Sequence, residues 1–237
     1  MRLAFVLVEP KVPENVGAAA RALKTMGFHQ LWVVNSDAHT HPQAGWVAHG
    51  SDDILGGIQV FPHLQAVAEQ ADLLVGTTAK PRHGLTDWHS PAQLRETLVG
   101  KGSTVGQIAL IFGREDRGLS NDELALCHLL TGIPLATTFP SLNLAQAVML
   151  YAWELSGLAA SSSRELSCGD PVSDSEPGPW RVLHDRLQQL LPRIGAGDDP
   201  KLRGWLHERA GLLGARDVRM MHTLVSDIER TLDRLER

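Results

Sequence analysis

The chain has 237 residues, 43% of them hydrophobic and 21% charged, with a formal net charge of −5. These are the proportions of an ordinary globular protein, and they exclude a wholly disordered, collagen-like or coiled-coil chain. No apolar run approaches the ~18–20 residues that a membrane helix needs. The two cysteines, Cys127 and Cys168, fall outside any CxxC pattern, so a reducing, cytoplasmic setting is expected.

Taken in chain order, Leu3–Val8 is apolar and runs into Glu9-Pro10 rather than a small-residue cleavage site, so it reads as a core strand and not a signal peptide. Val16–Met26 has a helical pattern that Gly27 stops. Leu31–Val34, Leu73–Thr77, Ile108–Phe112 and Leu130–Ile133 are short apolar runs of strand length, with a short helix over Leu64–Glu69. Ser120-Asn121-Asp122-Glu123 is a capping box that opens a helix through Leu129. Asn143, with Gln146 three residues on, caps a longer helix to about Leu158. Strands alternating with helices predict an α/β domain with a mostly parallel sheet over residues 1–160.

Residues 161–179 hold six serines, three prolines and two glycines and read as a flexible linker that few contacts cross. Residues 180–237 are helical in pattern. Leu183, Leu187, Leu190, Leu191 and Ile194 share one face, and Val218, Met221, Leu224, Val225, Ile228, Leu232 and Leu235 share another. The stretch 178–237 carries 11 Lys and Arg against 9 Asp and Glu, which leaves a net −7 on residues 1–177. No repeat of 20–50 residues is visible.

The common cofactor signatures fail. There is no GxGxxG, Walker A, HExxH or GxSxG. His39-Thr40-His41 has no further ligands near it, so no metal is expected. Three loops that follow strands remain, at the edge of a parallel sheet where ligands bind. The first is Glu14-Asn15-Val16-Gly17-Ala18-Ala19-Ala20-Arg21, a helical turn almost without side chains, next to one large cation. Packing of that helix on the sheet, with Asn15 as a cap, is the plain alternative. The second is Phe112-Gly113-Arg114-Glu115-Asp116-Arg117-Gly118-Leu119, where Gly113 admits a close backbone approach and Gly118 a tight turn. A solvated charged loop is the alternative there. The third is Pro140-Ser141-Leu142-Asn143-Leu144, polar and apolar residues alternating at a helix start, for which N-capping is the alternative.

In this order the three segments resemble the SpoU–TrmD (SPOUT) class of S-adenosylmethionine-dependent RNA methyltransferases, in its ribose 2′-O branch, and most of all the TrmJ and LasT group. Arg21-Ala22-Leu23-Lys24-Thr25-Met26-Gly27 is very like that group. The likeness covers residues 1–158 with high specificity and the helical tail less specifically. It implies an α/β sheet whose C-terminal part is threaded into a trefoil knot, an exception to the rule against threaded chains. It implies S-adenosylmethionine at Thr77, Thr78, Ala79, Gly113, Gly118, Ile133, Pro140, Ser141 and Leu142, with S-adenosylhomocysteine as product and no metal. Asn15, Arg21, Glu115, Ser141 and Asn143 become the catalytic set. Arg21 grips a phosphate and orients the ribose hydroxyl; a guanidinium is a poor general base. Glu115 positions Arg21 or a backbone amide, and Ser141 and Asn143 hold the nucleotide.

The resemblance also implies a homodimer with shared sites, packed through the Gly17–Ala20 turn. The substrate is tRNA, at a cytidine or uridine of the anticodon loop (nucleotide 32), with ribosomal RNA or another tRNA site as the alternative. The acidity of residues 1–177 is unusual for an RNA enzyme, so RNA contact is expected from Arg21, Lys80, Arg82 and Arg114 together with the basic tail. A non-catalytic RNA-binding homologue is a further alternative, which the intact catalytic set opposes.

Overall fold

A computed structural model of the chain describes residues 1–79, 88–137, 141–163 and 177–236. Lys80, Arg82, Pro140 and most of the segment read as a linker lie outside them. Strands β1 (Arg2–Val8), β2 (Gln30–Val34), β3 (Gln59–Phe61), β4 (Leu73–Thr77), β5 (Trp88–His89), β6 (Gln107–Phe112) and β7 (Leu129–Thr131) form one sheet in the order β3-β2-β1-β6-β4-β7-β5. Every pairing is parallel, with Phe5 opposite Leu110 and Val75 opposite both Leu110 and Leu129.

The strands are apolar on both faces because both faces are covered. Leu3, Phe5 and Leu7 of β1 join a core with helices α1 (Pro13–Thr25) and α7 (Leu144–Ser163). Ala4, Val6 and Val8 point the other way, into a second core with α4 (Leu64–Gln70) and α6 (Asn121–Ala125). Two short helices, α2 (Pro42–Ala48) and α3 (Asp52–Gly56), and the longer α5 (Pro91–Lys101) complete the layers. The reading missed these three, along with the edge strands β3 and β5.

Two expected boundaries move. The helix from Ser120 ends at Ala125 rather than Leu129, because His128 has already joined the sheet: its N–H donates to the Leu74 carbonyl at 2.9 Å and its ring accepts from the Leu74 N–H. Strand β7 accordingly starts at Leu129 and stops at Thr131, where the expectation was Leu130–Ile133.

Helices α8 (Pro179–Arg193), α9 (Pro200–Leu212) and α10 (Ala215–Leu235) form the tail. The expectation that few contacts join it to the sheet is corrected. Trp180 (1% exposed), Leu183, Leu187, Ala210 and Val218 belong to the same core as β1 and α1. The Trp180 indole donates to the Ala210 carbonyl at 2.7 Å. Asp72, just before β4, accepts the Gly106 N–H at 2.7 Å, the Gln107 N–H at 3.0 Å and the Gly178 N–H at 3.0 Å. The Lys101 ammonium, at the end of α5, donates to the carbonyls of Gly211 and Leu213, where α9 ends and its last carbonyls lack helical partners. At the near end, residues 161–163 continue α7 rather than beginning a linker. The tail thus covers the amino-terminal edge of the sheet.

Candidate active site

The carboxyl-terminal edge of the sheet is left open. The ends of β4, β6 and β7 and the start of α7 enclose a cleft of about 650 Å³. Thr77, Thr78 and Ala79 line it from the first, Gly113 to Gly118 from the second, Gly132 and Ile133 from the third, and Ser141 and Leu142 from the loop before α7. Every described residue assigned to the cofactor from sequence therefore lies on one wall or another. Phe112 and Leu119, the ends of the second motif segment, add an apolar lining together with Leu135 and Tyr151, which the sequence analysis did not single out. Tyr151 is held by its hydroxyl, 3.0 Å from Thr131 Oγ1, which itself donates to the His89 carbonyl at 2.8 Å. A mostly apolar cleft of this size with a few convergent polar groups suits a nucleoside-sized ligand.

At the cleft's rim the three motif segments join through one hydrogen-bond chain. Asn143 Nδ2 donates to Asn15 Oδ1 at 2.9 Å, and Asn15 Nδ2 donates to Glu115 Oε1 at 3.0 Å. Asn143 also caps α7, its Oδ1 accepting the Ala145 N–H at 2.8 Å. Glu115 also accepts the N–H groups of Lys11 at 3.3 Å and Val12 at 3.4 Å. Those amides precede α1, where a carboxylate meets the positive end of the helix dipole. Of the two partners expected for Glu115, the backbone amide is the one found.

Arg21 stands apart. It lies on the exposed face of α1 and does not line the cleft of its own chain. Among the described residues its guanidinium has no hydrogen-bond or ion-pair partner. The small residues before it have a role within the chain: a Cβ on Gly17 would lie 1.9 Å from the Ala44 carbonyl oxygen of α2, and Ala19 and Ala20 are fully buried. That corrects their assignment to a dimer contact. Gly113 likewise serves its own loop, since a Cβ there would lie 2.2 Å from the backbone of Gly118 and Leu119.

Arg114, expected to face RNA, is corrected too. Its side chain is 9% exposed, and its Nε and Nη2 donate to Glu9 at 2.7 Å each. Its Nη1 and Nη2 donate to Glu123 at 2.9 and 3.0 Å. The Arg114 hydrogen bonds hold the Glu9 carboxyl down to about 2. Burial works against ionisation of Glu123, yet Arg114 and the Ser120 N–H keep its carboxyl below the usual range.

A second polar cluster lies at the opposite edge. His128, before β7, meets His184 of α8 and His207 of α9, with ligand atoms all within 4.8 Å of one another. Burial pushes all three below the ordinary histidine range. Three histidines invite a metal, but His128 Nδ1 already accepts the Leu74 N–H at 3.0 Å. The proton of its neutral ring is then on Nε2, and neither nitrogen offers a lone pair to an ion. The trio reads as a packed junction between tail and sheet.

A parallel sheet with a nucleoside-sized cleft at its carboxyl edge, rimmed by these three motifs, defines the SpoU class of methyltransferases. The model for the SpoU rRNA methylase family matches residues 2–153, and the chain belongs to that family. Within it the chain is an RNA methyltransferase of the TrmJ and LasT kind: the model for the C-terminal domain of the tRNA/rRNA methyltransferase LasT matches residues 177–232. It is 44% identical over 232 residues to an uncharacterized tRNA/rRNA methyltransferase LasT of Escherichia coli K12, covering 98% of this chain and 99% of that one. It is 36% identical to the tRNA (cytidine/uridine-2′-O-)-methyltransferase TrmJ of Pectobacterium atrosepticum, covering 97% of each. The crystal structure of TrmJ from Z. mobilis ZM4 superposes with a TM-score of 0.65 at 27% identity, covering 97% of this chain and all of that one.

Proposed function

We propose that the protein transfers a methyl group from S-adenosylmethionine to a ribose 2′-hydroxyl of tRNA, at a cytidine or uridine in the anticodon loop (nucleotide 32), working as a cytoplasmic homodimer. The observation that carries this reading is the chain Glu115–Asn15–Asn143, which gathers all three motif segments at the mouth of one cleft. The cofactor, when bound, supplies an electrophilic methyl on a sulfonium. The walls fit it: Phe112, Leu119 and Leu135 offer apolar surface, and the strand ends offer backbone groups at Thr78, Gly113 and Ile133.

The residues' work is then positional. Asn15 and Asn143 fix each other, so Asn143 presents a set orientation beside Ser141, and the two hold the nucleotide. Holding a weakly acidic hydroxyl in line can contribute several kcal/mol, up to roughly 7–11 in favourable cases. Arg21 grips the adjacent phosphate, a task that suits a planar guanidinium. Since Arg21 is exposed and does not line its own cleft, it serves the cleft of a second copy. The exposed apolar face of α7, with Met149, Leu150 and Trp153 (62% exposed), is a surface for that copy.

The trefoil knot belongs to the same proposal. After β7 pairs on the far side of β4, the chain returns as α7 against α1 and β1. A second RNA surface on the tail does too, with Arg216, Arg219 and Arg234 exposed along one face of α10.

Incubation with S-adenosylmethionine and undermodified bulk tRNA or ribosomal RNA, with the product mapped by mass spectrometry, tests the reading. A 2′-O-methylated pyrimidine in the tRNA anticodon loop is the expected result. Methyl in ribosomal RNA alone moves the substrate, and methyl on a base overturns the chemistry.

A further inference from the structure

One guanidinium ties together three pieces of chain that carry the site. Arg114 forms two parallel hydrogen bonds with Glu9, just past β1, and two with Glu123 of α6. Its backbone pairs with Gly118 in both directions, the Gly118 N–H donating to the Arg114 carbonyl at 2.9 Å and the Arg114 N–H to the Gly118 carbonyl at 3.3 Å. The base of the 113–119 loop is thereby fixed on every side, and the next residue is Glu115. Glu9 itself has a φ of +46°, a left-handed conformation that costs a side chain of this kind free energy and clusters at functional sites. That turn aims Lys11 and Val12 at Glu115. Two carboxylates facing each other across one cation would repel if the cation left.

We propose that Arg114 is a positioning residue for methyl transfer: with Glu9 and Glu123 it sets the loop so that Glu115 stands under the first turn of α1 and holds Asn15 toward Asn143. The proposal rests on the methyl-transfer reading of the site. It goes beyond that reading in assigning a geometric role to a residue whose guanidinium is engaged by two carboxylates rather than by a ligand. A guanidinium is required because only its planar fork serves two carboxylates bidentately; an ammonium is a point charge.

Three variants test it, by melting temperature, single-turnover methyl transfer to tRNA and calorimetric titration of S-adenosylmethionine. Arg114→Met should melt lower, because Glu9 and Glu123 lose the cation they share, and should transfer at least ~100-fold more slowly, the scale of a misplacement of about 1 Å. The triple variant Glu9→Gln/Arg114→Met/Glu123→Gln removes that repulsion. It should regain the melting temperature and keep the slow transfer. Arg114→Lys should melt near the wild type and still transfer ~10-fold more slowly. Transfer by the triple variant within about threefold of the wild type, or a wild-type rate for Arg114→Lys, would make the clamp a stabilising contact only. If Arg114→Met does not fold, the other two decide. If the wild type methylates no RNA, the functional reading fails by itself. The clamp is then judged by cofactor affinity, expected to fall ~10-fold in the triple variant and, if unchanged, overturning the proposal.

Discussion

The two edges of the sheet treat polar groups in opposite ways. At the amino edge, Asp72 accepts three backbone N–H groups, Lys101 donates to two carbonyls, and Trp180 donates to a third. The space between sheet and tail is filled. At the carboxyl edge the strand ends part around a cleft of about 650 Å³. Among the described residues, Ser141, which lines that cleft, has no side-chain partner. Charge follows the same division. Glu9, Arg114 and Glu123 are held ionised by one another, whereas burial pushes Lys101 down to about 7 and the three histidines toward their neutral forms. Buried polarity alone therefore does not mark a site. Polar groups with capacity left over beside an open volume do, and both conditions hold at one edge.

The largest effect should come from the closed edge. Trp180→Ala removes the anchor of the tail and should cost about 3–5 kcal/mol of stability, read by denaturant melts, while the transfer rate per folded molecule stays near the wild type. An equal loss of transfer in the folded fraction would break the division between the edges. Next is Arg21→Ala, which should slow transfer ~100-fold or more, about 2.7 kcal/mol, with cofactor affinity within about twofold by calorimetry, because the proposed role of the residue is toward RNA and not toward the cofactor. Asn143→Ala removes both a helix cap and the link to Asn15. It should lower stability by about 0.5–2 kcal/mol and also slow transfer, so a variant that is only less stable would reduce Asn143 to its capping role.

The smallest effect is a pH dependence. The folded histidines titrate below their ordinary value, so the unfolded chain takes up protons first as pH falls. The contribution of these histidines to stability is full above about pH 6.5 and declines below it. Melting at pH 5.5 should fall a few degrees below that at pH 7.5, at about 2–4 °C per kcal/mol. The double variant His184→Gln/His207→Gln should flatten the difference; an unchanged slope would place the acid sensitivity elsewhere.

Much of this was legible in the sequence, for identifiable reasons. β1, β4 and β6 are buried on both faces and read as unbroken apolar runs, so they and the parallel sheet were found. The positions assigned to the cofactor came from the resemblance of the three segments to a known class, and those described line one cleft. α5 was missed because its buried side chains, Leu94, Leu98 and Lys101, are too few to make a clear stripe, although Ser90 and Gln93 form a capping box. Arg114 was misread because four charges in a row resemble a solvated loop, and Glu9 lies 105 residues away. The histidine junction was invisible for the same reason: positions 128, 184 and 207 meet only once the tail folds back on the sheet. Gly17 and Gly113 were recognised as sites of close approach, but sequence does not say whether the approaching atoms belong to a ligand, a second copy or the chain itself.

The division between the two edges is tested most directly by a crystal structure grown with S-adenosylhomocysteine. Cofactor density at the carboxyl edge, bounded by Thr77–Ala79, Gly113, Ile133 and Leu142, with the histidine junction unchanged, is the predicted result. Density at the amino edge between sheet and tail, or a carboxyl-edge cleft that takes no cofactor at saturating concentration, would contradict it.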